Sequence, residues 1–257
     1  MVVRGKIEKS QADKSKRKKY RKDIILRALV EEYTRTGEPV ASEVLNARYR
    51  LGVSSATIRN HFVFLTENGY LFKPYISSGR IPTDKAWKFF VKVIFDDEEN
   101  VLSRWEAKFS SQFLKIGLES SVNSQSSATK IKKLVGLVSE ESHTLCFCYL
   151  FQENELIKQG LKYMFQGLAA EELLSLKLLQ KIAESLEQLD QKLKNIEITQ
   201  PPLVLIGKDN PLIKSDQFSS LLTSLSRPKA ILGILGSKRM PYDKNIAILK
   251  TLTNLIN

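Results

Sequence analysis

Reactive side chains are scarce in this 257-residue chain, which holds two histidines, two cysteines and three methionines. Two histidines leave few general bases, and no nucleophile elbow, P-loop or zinc-protease motif occurs. The sequence therefore points away from an enzyme. Cys146 and Cys148 stand two apart in an apolar run, where strand geometry sets their side chains side by side at a spacing poor for a disulfide. A reduced, cytoplasmic protein is expected. Long apolar runs are missing too. The longest, Leu145–Phe151, falls far short of the roughly 20 residues that cross a bilayer. The basic N-terminus has no apolar stretch behind it, unlike a secretory signal, so no membrane partner is expected. Finally, residues 1–22 are nearly devoid of acid. They set ten Lys and Arg against Glu8 and Asp13, which accounts for eight of the twelve net positive charges.

A net charge of +12 makes a polyanion the natural partner. Because the charge is concentrated at one end, the rest of the chain must carry any further nucleic-acid signal by local placement. The length allows one large domain or two to three small ones, and 42% hydrophobic residues suffice for ordinary cores. Residues 1–19 read as a basic disordered arm, with dense Lys and Arg and few apolar side chains. Three short helices follow. The first carries Ile24, Ile25, Ala28, Leu29 and Tyr33 and stops at Gly37; the second starts at Ser42, carries Val44, Leu45 and Tyr49, and ends at Gly52. The third is capped by Ser54 or Ser55, buries Ile58, Phe62 and Leu65, and stops at Gly69. Then "YLFKPYISSGRIPTD" alternates apolar residues about turn chemistry, a hairpin with its tip near Ser77–Arg80.

Three helices and a hairpin, in that order, predict a winged helix-turn-helix over residues 20–84. Thr83 or Asp84 then caps a helix with Trp87, Phe90, Val91 and Ile94 on one stripe. An acidic break at Asp96–Asn100 and an amphipathic helix at about 101–120 make residues 85–129 a helical linker, with a Ser-rich stretch at Val122–Thr129. From residue 130 on, strands and helices interleave, which predicts a small α/β or α+β domain to residue 257. "KLVGLVSE" and "HTLCFCYLF" read as adjacent strands. "PPLVLIGKDNP" and "PKAILGILGSK" each hold a strand, and "MPYDKNIAILKTLTNLI" a closing helix.

The third helix explains its own polar residues. With Ile58, Phe62 and Leu65 inward, Ser55, Thr57, Arg59 and Asn60 face outward near its N-terminus. The second helix of a helix-turn-helix presents such residues to base edges in the major groove. Arg forks to guanine and Asn to adenine, while the hydroxyls of Ser54, Ser55 and Thr57 and the helix N-terminus suit phosphate. A plain solvated face is the alternative, and the hairpin behind it tips the balance. There Lys73, Tyr75, Ser77, Ser78, Gly79 and Arg80 form the expected wing, in which Gly79 permits a close backbone approach to phosphate and Arg80 suits a narrow minor groove. His143, Cys146 and Cys148 spell H-x-x-C-x-C, but no second ligand cluster exists, so buried strand cysteines and neither metal nor cofactor are expected. "GKDNP" and "GSKRMPYDK" lack Walker spacing and read as structural turns.

Four blocks, "GEPVASEVL", "SSATIRN", "ENGYL" and "SSGRIPTDKAW", together resemble the N-terminal half of HrcA, the heat-inducible transcription repressor family. "IGKDNPL" and "LGSKRMPYDK" resemble its C-terminal blocks, in the same order, so the resemblance spans roughly 20–95 and 155–257. It implies an N-terminal winged helix, a GAF-like C-terminal domain, and a homodimer on an inverted-repeat (CIRCE) operator of double-stranded DNA upstream of chaperone genes. It also implies that the chaperonin helps the repressor stay active. The chain departs from the family pattern in one respect. The strand ending near Phe151 runs almost directly into "NELIKQGLKYMF", leaving no room for the dimerisation domain usually inserted in the GAF-like domain. The helices at 84–95 and 101–120 then become the candidate dimer elements. Two rival functions are a small-molecule-responsive regulator and an RNA-binding module driven by the arm.

Overall fold

A computed structural model of the chain describes residues 21–114, 127–165, 168, 175–200, 202–213 and 215–256. It forms two compact units, Met1–Phe90 and Val91–Asn257. The basic arm expected at 1–19 lies outside the described residues.

In the first unit, α1 covers 21–36. Its buried stripe is Ile25, Leu26, Leu29 and Val30, while Ile24, expected inside, is exposed. α2 (Ser42–Tyr49) is capped by Ala41 without a side-chain hydrogen bond, so Ser42 is the first helical residue and not the cap that its type suggests. Glu32 ties these two helices together. Its carboxylate is 2% exposed and accepts hydrogen bonds from Arg35 (2.7 Å), Arg48 (3.1 Å) and the Tyr49 hydroxyl (3.3 Å). A carboxylate taken out of water needs such partners, and losing them leaves an uncompensated buried charge. α3 (Ser55–Glu67) starts where the sequence predicts: the Ser54 side chain accepts from the Thr57 N–H, and Ile58, Phe62 and Leu65 are buried. The chain turns back at Gly69 and pairs β1 (Leu71–Phe72) with β2 (Ile81–Pro82) in antiparallel register. A further bridge, Val40 to Arg80, joins the hairpin to the segment before α2 through two 2.9 Å backbone hydrogen bonds. Thr83 stands at the N-cap position of the next helix, its carbonyl accepting the Trp87 N–H at 3.1 Å, while its hydroxyl donates to the carbonyls of Gly69 and Tyr70 and fastens the hairpin's exit to the end of α3. α4 (Asp84–Asp96) begins in this unit, where it buries Ala86 and Trp87; its residues from Val91 on, with Val91 and Ile94 buried, belong to the second unit.

The second unit is built on a five-stranded antiparallel sheet, in the order β4-β3-β7-β6-β5. The strands are β3 (Leu145–Leu150), β4 (Glu155–Gln159), β5 (Leu203–Ile206), β6 (Phe218–Leu225) and β7 (Ala230–Ser237). On one face lie α6 (Ser127–Ser142) and α10 (Tyr242–Ile256), with α5 (Glu98–Leu114) packed along α10. Against the other lie α7 (Leu161–Met164), α8 (Leu176–Glu187) and α9 (Leu189–Lys194), whose Leu178, Ile182, Leu189 and Leu193 join Leu145, Phe147 and Tyr149 in one core. Covering both faces explains why every residue of β3 is buried. Gly233 sits opposite Phe147 across the β3–β7 ladder, and a Cβ there would lie 2.2 Å from the Phe147 ring; the missing side chain is what admits the aromatic.

Several sequence expectations need correction here. "KLVGLVSE" is not a strand but the body of α6, whose Ile131, Leu134, Val135 and Val138 are buried at helical spacing. Ser127–Thr129, read as linker, begins that helix; 122–126 lie outside the described residues. The acidic break is a single residue, Asp97, between α4 and α5. Phe109 and Phe113 of α5 are buried within the second unit, so the apolar stripe offered for dimerisation is already occupied. β4 and β6 escaped the sequence reading altogether. Four residues separate β3 from β4, which pair as a direct hairpin.

Candidate nucleic-acid interface

The third helix and the hairpin loop place the predicted residues in three settings. Ser54 and Thr57 are engaged with each other: the Ser54 hydroxyl lies 3.0 Å from that of Thr57 and accepts the Thr57 N–H at 3.2 Å. They order the start of α3, and their remaining lone pairs and the half-buried Ser55 sit at its N-terminal end. Arg59 and Asn60 project from the exposed side one turn on. Arg59 is held by Glu43 of α2, with an N–O distance of 2.6 Å and both side chains more than half exposed. Glu43 has its carboxyl pulled below the usual range by its own backbone N–H, by Ser42 and by Arg59. The guanidinium is therefore parked at the surface of the helix pair, aimed by a neighbouring carboxylate.

The hairpin loop supplies the third setting. Its tip is a tight turn closed by Ser78, which donates its N–H and its hydroxyl to the Tyr75 carbonyl and accepts the Tyr75 N–H. Ser77 is exposed at this tip, and Lys73 is half-buried at its base. Two expected roles change. Gly79 does make a close backbone approach, but to its own chain: a Cβ would lie 2.4 Å from the carbonyl carbon and oxygen of Val40. Arg80 is drawn inward rather than extended. Its backbone pairs with Val40, and its guanidinium donates to the Thr66 hydroxyl at 3.1 Å, partly buried against α3. Burial lowers the pKa of that guanidinium, which stays charged. Arg80 thus clamps the hairpin to α3.

These elements enclose a cleft of about 260 Å³. Its walls bring together Arg59, Lys73, Ser77, Ser78, Gly79 and Arg80, but not Ser54, Ser55, Thr57 or Asn60. Glu43 and Ile76 also line it, and neither was singled out from the sequence. Glu43 lies 16 residues from Arg59, and only the packing of α2 on α3 reveals the pair. Tyr75 and Ile76, 74% and 93% exposed, give the loop an apolar tip that the alternating pattern could have flagged.

Elsewhere the candidates disperse. His143 is an exposed residue at a turn with φ of 51°, whereas Cys146 and Cys148 are free thiols inside the sheet. No cluster of three or more His, Cys, Asp or Glu forms among the described residues. In "GKDNP" the buried Asn210 accepts the Leu212 N–H and donates to Ser220, a turn-forming role. In "GSKRMPYDK" Ser237 accepts the Arg239 N–H and Tyr242 donates to Ser219, again structural. An open cleft of about 670 Å³ in the second unit is bordered by Lys132, Lys133, Glu140, Gln112 and Gln159, with Leu137 its one large apolar side chain.

The family model for the HrcA protein C terminal domain matches residues 98–246, more than half of the chain. The chain belongs to the HrcA family. A relative from Thermobifida fusca, a heat-inducible transcription repressor HrcA, is 55% identical over 71 residues, which are 28% of this chain and 21% of that protein. The protein of the same name from Rhodococcus jostii is 46% identical over 95 residues, 37% of this chain and 27% of its own. The match thus spans only about a quarter of either HrcA relative. A solved structure of a hypothetical protein superposes with a TM-score of 0.68 over 92% of this chain and 96% of that one, at 17% identity, and shares the fold. No helix among the described residues is long and apolar enough to cross a membrane.

Proposed function

We propose that the chain is a transcriptional repressor of heat-shock genes, binding an inverted-repeat operator as a homodimer in the cytoplasm and catalysing no reaction. The observation that carries this is the exposed pair Arg59 and Asn60 on α3, set beside a hairpin clamped to the same helix by Arg80. In this reading α1–α3 and the β1–β2 hairpin are a winged helix, α3 enters the major groove, and the hairpin tip tracks the neighbouring backbone. Ser54, Ser55 and Thr57 meet phosphate at the helix N-terminus, where the backbone N–H groups also point. Lys73, Ser77 and Ser78 meet the next phosphates. Gly79 and Arg80 serve by holding the hairpin in place. Arg59 exchanges Glu43 for a guanine edge, a cheap exchange because water screens an exposed pair, whereas a fork on two base acceptors gains geometry and charge together.

The second unit is read as the GAF-like regulatory domain of the family, and the chaperonin as a partner that keeps the repressor active. An inverted repeat demands a two-fold protein, with half-sites one helical turn or a multiple apart. With α5's apolar stripe buried in its own unit, exposed faces of α4 remain the candidates for the two-fold contact. The test is a binding comparison at equal salt between duplex DNA carrying the inverted repeat, scrambled duplex, and structured RNA. The reading requires the operator duplex to win by at least tenfold. Equal affinity for all three, or preference for RNA, would overturn it.

A further inference from the structure

The outward face of α3 holds an apolar residue where a solvated helix has no use for one. At about 100° per residue, Val63 falls between Arg59 and Asn60 in projection, one turn further along the helix. It is 46% exposed. Its neighbour Phe64 is 38% exposed, but there the Lys22 ammonium lies over the ring at 3.2 Å from the centroid, so the chain itself covers that aromatic. Burial does not account for Val63. Helix propensity does not either, since a β-branched side chain is a poorer helix former than Lys, Glu or Ala. Ala56, also exposed and about two turns before Val63, leaves the face low enough for a close approach.

The major groove offers one apolar feature among its donors and acceptors, the C5-methyl of thymine. We propose that Val63 reads a thymine methyl, as a specificity-determining residue beside the polar readers Arg59 and Asn60. The inference rests on the reading of α3 as the major-groove helix and adds to it the identity of one base. One helical turn advances about 5.4 Å and one base step about 3.4 Å, so the thymine lies within roughly one or two base pairs of those met by Arg59 and Asn60. An apolar side chain against a methyl makes no hydrogen bond. It discriminates because the methyl is buried on binding and because cytosine offers an amino group and no methyl there.

Thymine-to-uracil replacement isolates this contact, since it removes the methyl and leaves every hydrogen-bonding group in place. The full chain would first select duplexes from a randomised pool. Each thymine of the recovered sequence is then replaced singly by deoxyuridine, and wild type and Val63→Ala are titrated on every duplex. Wild type should lose about fourfold at one thymine per half-site, the worth of one buried methyl-sized group. Val63→Ala should bind the thymine duplex about as wild type binds the uracil one, and should not respond to uracil at that position. Val63 is half-exposed, so the variant keeps its fold. A selected sequence on which no thymine matters, or on which Val63→Ala and wild type respond alike, overturns the inference and leaves α3 a DNA reader. A pool that yields no preferred sequence overturns both together.

Discussion

Arg59 is the residue on which sequence-specific binding should turn. Arg59→Ala is expected to cost about 1–3 kcal/mol on the operator and much less on random duplex, measured by titration at fixed salt. Equal losses on both would make it a phosphate contact. Gly79 tests the hairpin's anchorage instead. An added methyl meets the Val40 carbonyl at 2.4 Å, backbone against backbone, which no side-chain rotation relieves. Gly79→Ala should lower stability by roughly 1–3 kcal/mol in denaturant unfolding, in the range of overpacked sites. Ser77→Ala, at the exposed tip, should leave stability nearly unchanged. A neutral Gly79→Ala would mean that the hairpin is not pinned to Val40. Of these residues, the outward placement of Arg59 and Asn60 is legible from type and spacing alone. The contacts of Gly79 and Arg80 are not, because a glycine that approaches a phosphate and one that approaches its own backbone look identical in sequence.

Two elements carry groups whose titration reports on their packing. Tyr49, at the end of α2, has its pKa raised to about 12, first by burial and then by the charge of Glu32. The unfolded value is near 10.0, so the folded state holds the phenol proton more tightly. The contribution is complete below pH 10 and is lost as pH rises towards 12. Unfolding of the full chain across that window should show a fall in stability that Tyr49→Phe reduces, and a wild-type curve identical to that of the variant would remove Tyr49 from the account. In β3, burial pushes Cys148 up to about 12 and Cys146 well above its usual value. A thiol reagent at neutral pH should therefore label neither in the folded protein and both in denaturant; rapid native labelling would contradict the placement of β3. The elements differ in how well the sequence announced them. α3 has a cap, a 3.6-residue stripe and a glycine stop that agree. α6 looks like a strand because Leu134, Val135, Leu137 and Val138 crowd the window "KLVGLVSE" and Ile131, one turn before Leu134 and Val135, falls outside it. β6 is hidden because Ser219, Ser220 and Thr223 break its apolar pattern; Ser220 is met by the Asn210 amide, and Ser219 and Thr223 by the Tyr242 and Thr253 hydroxyls that α10 brings from the far end of the chain.

At the scale of the molecule, charge and reading are separate. Residues 1–22 carry eight of the twelve net charges, whereas the proposed reading face is on α3. Removing residues 2–19 should therefore weaken binding without changing preference. If about four of the arm's cations sit near phosphates, the log–log salt slope should fall by roughly 3–4, and discrimination between operator and scrambled duplex should hold within about threefold. An unchanged slope would assign the arm to another partner, and lost discrimination would make it a groove reader. The central claim is that α3 and the hairpin recognise an inverted repeat at chaperone genes. It is tested most directly by footprinting the full chain and Arg59→Ala on the host's chaperone promoters. The account predicts two protected half-sites related by a two-fold axis, one helical turn or a multiple apart, for the wild type and none for the variant at the same concentration. Protection that is absent, lacks two-fold symmetry, or survives Arg59→Ala unchanged would contradict it.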